Sequence, residues 1–260
     1  MAIELEIDRH IATLTLGGAN ELNPVDYPLL YDLDAKYLEI AANPDVRVVI
    51  LRGAGEKHFC AGYNLKVGFE SFKADEDRLN YDSGPFYHRG PPALTYRRLL
   101  TPVIGAVRGW CLGAGMVLLG MHTDIRIAGT STKFGLTEMK LALAGATVMC
   151  RLPLQLPYAA MMWMSTTGEF LDAATAHRHG YVNEVVPDDQ VMIRAREIAE
   201  RIAAAPPLSL RAEKWAMLRG ETATHRQAVD FAAMLGALNG FDPETVRAMR
   251  AAVRRRLEQP

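Results

Sequence analysis

Ile3, Leu5 and Ile7 alternate with acidic residues, and Ile11, Leu14 and Leu16 resume the apolar series after Asp8-Arg9-His10. A period of two, broken by a short polar run, predicts a β-hairpin at the edge of a sheet. After Pro24 the apolar positions Leu29, Leu30, Leu33, Tyr37 and Ile40 recur every three to four residues. That spacing predicts a helix opened by the proline. Residues 46–51 form a short β-branched run, and 103–107 and 125–128 repeat it, each followed by a glycine-marked break; all three read as buried strands. Strands alternating with helices in short units predict an α/β protein.

From residue 188 onward the pattern is helical, over 191–205, 208–218, 222–238 and 243–257, punctuated by Pro206-Pro207, Gly220 and Gly240. The expected organisation is an α/β body over 1–187 and a helical region over 188–260. With so many apolar positions, that region should pack on its own body or on a neighbouring subunit. Residues 66–92 stand apart. They are charged early (Lys73, Asp75, Glu76, Asp77, Arg78) and close on Ser83-Gly84-Pro85 and Gly90-Pro91-Pro92. Such a stretch is an exposed loop or a wall over a pocket.

Composition narrows the classes. At 260 residues, 49% hydrophobic and 23% charged, the chain can bury a substantial core. Lys and Arg number 29 against 30 Asp and Glu, so no global field favours nucleic acid. The longest uncharged apolar stretch, residues 110–121, is shorter than the roughly 20 residues that cross a bilayer. The N-terminus lacks the basic and apolar regions of a secretion signal. Cys60, Cys111 and Cys150 show no CxxC spacing and read as buried thiols of a reducing compartment. The expectation is a cytoplasmic protein that binds neither nucleic acid nor membrane.

Several chemistries drop out. There is no GxxxxGK[ST], HExxH or GxSxG, and Leu118 stands where a GxGxxG turn needs its last glycine. The seven histidines show no ligand spacing, so neither a metal nor a bound cofactor is expected. What remains is two glycine-containing turns after predicted strands, one over residues 58–65 and one over 108–116. Small residues opening a helix can point main-chain N–H groups at a ligand, and two such turns together would make an oxyanion hole. Glycines at strand ends serve tight turns equally well, and Glu138 could simply complement a helix dipole.

Four blocks in order resemble the crotonase (enoyl-CoA hydratase/isomerase) superfamily. Phe59-Cys60-Ala61-Gly62-Tyr63-Asn64-Leu65 is similar to its F-C-A-G-x-D-L turn. Gly109, then Gly113-Ala114-Gly115, with Asp124-Ile125 beyond, is similar to its N-G-x-x-x-G-G-G turn and following strand. Phe134-Gly135-Leu136-Thr137-Glu138 is similar to F-G-x-P-E. The fourth block runs from Gly168 through Ala173 and Ala176 to Gly180-Tyr181-Val182-Asn183 and Val185-Val186.

The resemblance implies a spiral of ββα turns with a helical C-terminal region that builds homotrimers or hexamers. It implies an acyl-CoA substrate whose thioester oxygen is held by the amides of Tyr63 and Ala114. Glu138 would be the catalytic carboxylate, facing the acyl carbons. Glu21, Leu22, Ala61, Gly62 and Leu65 would line the coenzyme A path, with Gly113 and Val117 beside the acyl group. Coenzyme A is then part of the substrate, and no separate cofactor is implied.

Departures from the family pattern shape the expected reaction. Val117 stands where the family's hydratases carry a second glutamate, and Thr137, Asn64 and Arg108 replace a proline, an aspartate and an asparagine. A single carboxylate is sufficient for double-bond isomerisation, taking a proton from C2 or C4 and returning it at the other carbon. The alternatives are hydration with a residue of 66–92 or a water as second acid, C–C bond cleavage or decarboxylation, and a catalytically silent coenzyme-A-binding subunit. An ordinary glutamate, with a pKa of about 4.3, is a weak base toward a thioester α-carbon. Burial by Met116, Val117, Met139 and Leu141 is expected to raise it.

Other side chains have two readings. Cys60 and Cys111 flank the turns as buried hydrophobes or as nucleophiles; His58, Tyr81, Tyr87 and His88 lie at the surface or supply an acid. Met161, Met162 and Met164 with Trp163 read as core or subunit contact. Arg247, Arg250, Arg254, Arg255 and Arg256 form a solvated basic face or meet the 3′-phosphate of coenzyme A.

Overall fold

The computed structural model describes residues 3–17, 20–66, 99–141 and 151–258. Tyr81, Tyr87, His88, Cys150 and most of the 66–92 stretch therefore lie outside the described residues. The edge hairpin forms as expected: β1 (Ile3–Asp8) and β2 (Ile11–Leu16) pair antiparallel, with Asp8 opposite Ile11 across the Arg9-His10 turn.

The next helix, α1 (Tyr27–Ala42), begins three residues later than the proline suggests. Val25 is held extended because its N–H donates to Gly62 O at 2.9 Å and its carbonyl accepts Asn64 N–H at 2.7 Å. Asp26 then caps the helix, accepting Leu29 N–H at 3.0 Å.

Two strands and a helix recur along the chain. β3 (Val48–Gly53) is followed by β4 (Val103–Val107), β5 (Trp110–Leu112) and α2 (Ala114–His122), then by β6 (Ile125–Gly129) and β7 (Lys133–Gly135). Next come α3 (Tyr158–Thr167), β8 (Leu171–Asp172), α4 (Ala173–Arg178) and β9 (Glu184–Val186). β1, β2, β3, β4, β6 and β9 lie in that order in one sheet, parallel except for the hairpin, while β5, β7 and β8 form a second sheet. Each β4–β5 and β6–β7 pair thus splits between the sheets. The expected α/β spiral of ββα turns is what forms.

Strand residues alternate between two buried faces. Leu14, Leu16, Val49, Leu51 and Val107 pack with α1 and α2, whereas Ile11, Val48, Ile50, Ile104 and Ile127 pack with Val191, Ala195 and Ile198 of α5 (Val191–Ala203). The remaining helices are α6 (Pro207–Gly220), α7 (His225–Phe241) and α8 (Pro243–Leu257). α7 starts later than residue 222 because Thr224 and Gln227 form a capping box. Lys214 of α6 is buried in an ion pair with Asp124, ahead of β6. Among the described residues, no helix is long and apolar enough to cross a membrane.

Candidate active site

The two glycine turns run side by side. Phe59 N–H donates to Arg108 O at 2.9 Å, Cys60 N–H to Trp110 O at 3.0 Å, and Leu112 N–H to Cys60 O at 2.9 Å. This parallel zip exists because β3 and β4 are neighbours, so the loops leaving their ends must run together. Gly62 at φ +110° and Gly113 at φ +50° adopt backbone that favours glycine. Ala114 opens α2, and its N–H is one of those with no carbonyl inside the helix to bond. The positive end of the helix dipole stands behind it.

Glu138 reaches this junction from three residues beyond β7, whose Gly135 carbonyl accepts Gly113 N–H at 2.8 Å. A side-chain carbon on Gly113 would lie 3.0 Å from Glu138 Oε1 and 3.9 Å from Gly62 Cα; one on Gly62 would lie 3.9 Å from Ala114 N. Main chain from both turns and one carboxylate therefore meet where two side chains are missing. Glu138 Oε2 is buried and, among the described residues, has no hydrogen-bond partner. Burial pushes the carboxyl above its ordinary range, while the main-chain N–H groups of Glu138 and Thr137 pull it back. A buried carboxylate oxygen without a donor is costly, and such groups mark functional sites.

Of the apolar neighbours expected around Glu138, Met116 and Val117 are fully buried. Met139 and Leu141 are 51% and 45% exposed, so the chain just after the glutamate does not supply its burial. That segment is a short 3-10 turn, Glu138–Leu141, which directs its following side chains outward.

The other expected site residues fall into two groups. Ala61 N–H donates to Leu22 O at 2.8 Å, so Leu22, Ala61, Gly62 and Tyr63 form one stitched strip. Glu21 and Leu65 lie exposed around it, Glu21 in an ion pair with Lys57 at 2.7 Å. Tyr63 packs edge-to-face on Tyr27 with ring centroids 5.8 Å apart, and burial and then Asp26 raise its phenol. Tyr27, pushed up to about 12 chiefly by burial, was missed in the sequence, where its only signal is an aromatic at the start of an apolar helix.

The other side chains with two readings are placed as follows. Cys60 and Cys111 are fully buried, and burial pushes the Cys60 thiol up to about 12 and Cys111 well above its ordinary value, which favours the buried-hydrophobe reading of both. His58 stacks on Trp110 at 5.0 Å and its Nδ1 accepts Trp110 N–H at 3.1 Å. Met161 and Met164 are core, while Met162 and Trp163 are exposed. Arg108 is ion-paired with Glu56.

Gly115 shows how tight the junction is. A Cβ there would fall 2.5 Å from Cys60 O and 2.8 Å from Cys60 Cβ. Gly115→Ala is expected to destabilise the fold by about 2 kcal/mol through overpacking, read from urea unfolding midpoints. A loss below about 0.5 kcal/mol would show that the turns separate freely.

Comparison with known proteins agrees with this fold. The family model for enoyl-CoA hydratase/isomerase matches residues 6–241. The chain is 36% identical over 222 residues to the (E)-benzylidenesuccinyl-CoA hydratase of Thauera aromatica, covering 85% of this chain and 84% of that protein. It is 33% identical over 217 residues to the carnitinyl-CoA dehydratase of Citrobacter koseri, covering 82% and 80%. The crystal structure of an enoyl-CoA hydratase from Bacillus anthracis superposes with a TM-score of 0.84 at 28% identity, covering 98% of this chain and 97% of that one. With its ββα spiral and paired glycine turns matched by a family model over nearly its whole length, the chain belongs to the enoyl-CoA hydratase/isomerase family of enzymes that act on acyl-CoA thioesters.

Proposed function

We propose that Glu138 moves a proton at the α-carbon of an enoyl-CoA while the main-chain N–H groups of Tyr63 and Ala114 hold the thioester oxygen. The observation that carries this reading is the buried Oε2 of Glu138, without a hydrogen-bond partner among the described residues, beside two paired glycine turns. As the C–H bond breaks, its electron pair moves onto the carbonyl oxygen, and two preorganised donors lower the energy of that enolate. One such donor is worth about 3 kcal/mol of barrier. The proton then returns from Glu138 to C4, so that the C3–C4 double bond is replaced by one between C2 and C3. Val117, fully buried and apolar, supports isomerisation because it supplies no second carboxylate to activate water.

A second reading, hydration and its reverse, is favoured by the relatives' names, a hydratase and a dehydratase. In it Glu138 takes a proton from water as the oxygen bonds to C3, and the C2–C3 π pair moves onto the thioester oxygen. Glu138 then delivers the proton to C2 of the resulting enolate; dehydration is the reverse. We also propose that copies of the chain assemble as trimers or hexamers, supported by the exposed Met217, Phe241 and Leu257 on α6, α7 and α8.

Incubation with 3-enoyl-CoA and with 2-enoyl-CoA in deuterated water separates the readings. Isomerisation gives the shifted alkene without gain of water; hydration adds the mass of water to the 2-enoyl ester. No turnover across a broad ester panel, with retained binding, overturns both and leaves a silent coenzyme-A-binding subunit.

A further inference from the structure

We propose that Cys60 is a positioning residue for this reaction, its side chain acting as the spacer that sets the separation of the two main-chain donors. The inference rests on the oxyanion reading of Tyr63 and Ala114 given above. Cys60 is fully buried between the two elements that carry those amides. On one side its Sγ accepts Gly62 N–H at 3.4 Å, holding the Ala61–Gly62 peptide, and its thiol donates to Gly62 O at 3.8 Å, on the peptide that carries the Tyr63 amide. On the other side the start of α2 rests on it: a Cβ on Gly115 would come within 2.9 Å of Sγ and 2.8 Å of Cys60 Cβ. Its own main chain closes the frame, through Cys60 N–H to Trp110 O and Leu112 N–H to Cys60 O.

A side chain held in this way does two things. Its volume sets how near α2 approaches the first turn. Its lone pair occupies the Gly62 N–H, which restrains the peptide that precedes the Tyr63 amide. Sulfur is a weak acceptor, so the effect is one of geometry more than of bond strength. Oxyanion stabilisation depends steeply on that geometry, since donors must sit where charge develops. The thiol itself stays protonated and takes no part in bond-making.

The test uses Cys60→Ala and Cys60→Ser. Alanine removes both spacer and acceptor; serine keeps an acceptor and part of the volume. Cys60→Ala is expected to lower kcat by about tenfold with KM changed less than about twofold, and Cys60→Ser to recover most of kcat.

A β-ketoacyl-CoA supplies a readout independent of turnover, because its enolate absorbs in the near ultraviolet. Wild type should raise the enolate fraction on binding, Cys60→Ala should raise it less at equal occupancy, and serine should restore it. Wild type that binds the ester without raising the enolate fraction would overturn the oxyanion reading itself. A wild-type signal that Cys60→Ala leaves unchanged would overturn only the role of Cys60. If Cys60→Ala melts early, circular dichroism identifies it, and Cys60→Val, which keeps a spacer of different shape and removes the acceptor, then decides: a folded valine variant with a lower enolate fraction at equal occupancy supports the proposal, and one matching wild type overturns it.

Discussion

Glu138→Gln is expected to lower kcat by about a thousandfold while thioester affinity stays within about twofold of wild type. Glutamine keeps the shape and removes the basic lone pair, so only the proton transfer should suffer. Pre-steady-state turnover and equilibrium binding of a non-reactive acyl-CoA analogue measure the two quantities separately. If both fall together, Glu138 holds the ligand; if neither changes, it has no part in the reaction.

The pH profile carries the same claim. Burial raises the Glu138 pKa, so the ionised base should disappear on the acid side at a pH above the ordinary 4.5. In wild type kcat/KM therefore falls as pH drops through that raised value. Stability moves in the opposite sense. Between 4.5 and the raised value, the folded chain holds a proton that the unfolded chain has lost. The favourable contribution is thus complete below 4.5 and is lost as pH rises through the folded value. Relative to Glu138→Gln, wild type should lose stability over that window. Parallel stability curves for the two proteins would mean that the carboxylate is as well solvated folded as unfolded.

Lys214→Met is expected to cost about 3 kcal/mol of folding stability, the largest loss among the single changes considered. Lys214 is 6% exposed; its Nζ lies 2.7 Å from Asp124 Oδ2 and donates to Thr101 O at 2.9 Å. Asp124 Oδ2 also accepts Val103 N–H at 2.8 Å, so one carboxylate joins α6 to the starts of β4 and β6. Methionine preserves the volume but strands the carboxylate without this cation. Asp124 is still 23% exposed and keeps some water, which holds the cost at the lower end for a buried pair. Chemical unfolding of Lys214→Met, Asp124→Asn and the double variant gives the coupling directly. Strictly additive losses would show that the pair contributes packing alone.

Much of the fold was legible because its signals are local. The β1–β2 alternation, the β-branched runs of β4 and β6 and the capped α8 each reflect side chains within a few positions of one another. The start of α1 was not legible, since Pro24 signals a helix locally while the main chain of Val25 is claimed by Gly62 and Asn64 from the far side of β3. β5, β7 and β8, at three, three and two residues, are too short to show a period; they exist because they pair with one another.

The candidate site divides in the same way. Residue order by itself determined the chemical inventory: two glycine turns, one glutamate after Phe134-Gly135, and an apolar Val117 where a second acid would stand. Only tertiary structure decided that Gly62, Gly113 and Glu138 share one place, that Glu138 Oε2 is buried with no donor among the described residues, and that Cys60 lies between the turns. Desolvation and the separation of two peptide N–H groups depend on atoms brought together from strands distant in the chain, and no local pattern encodes them.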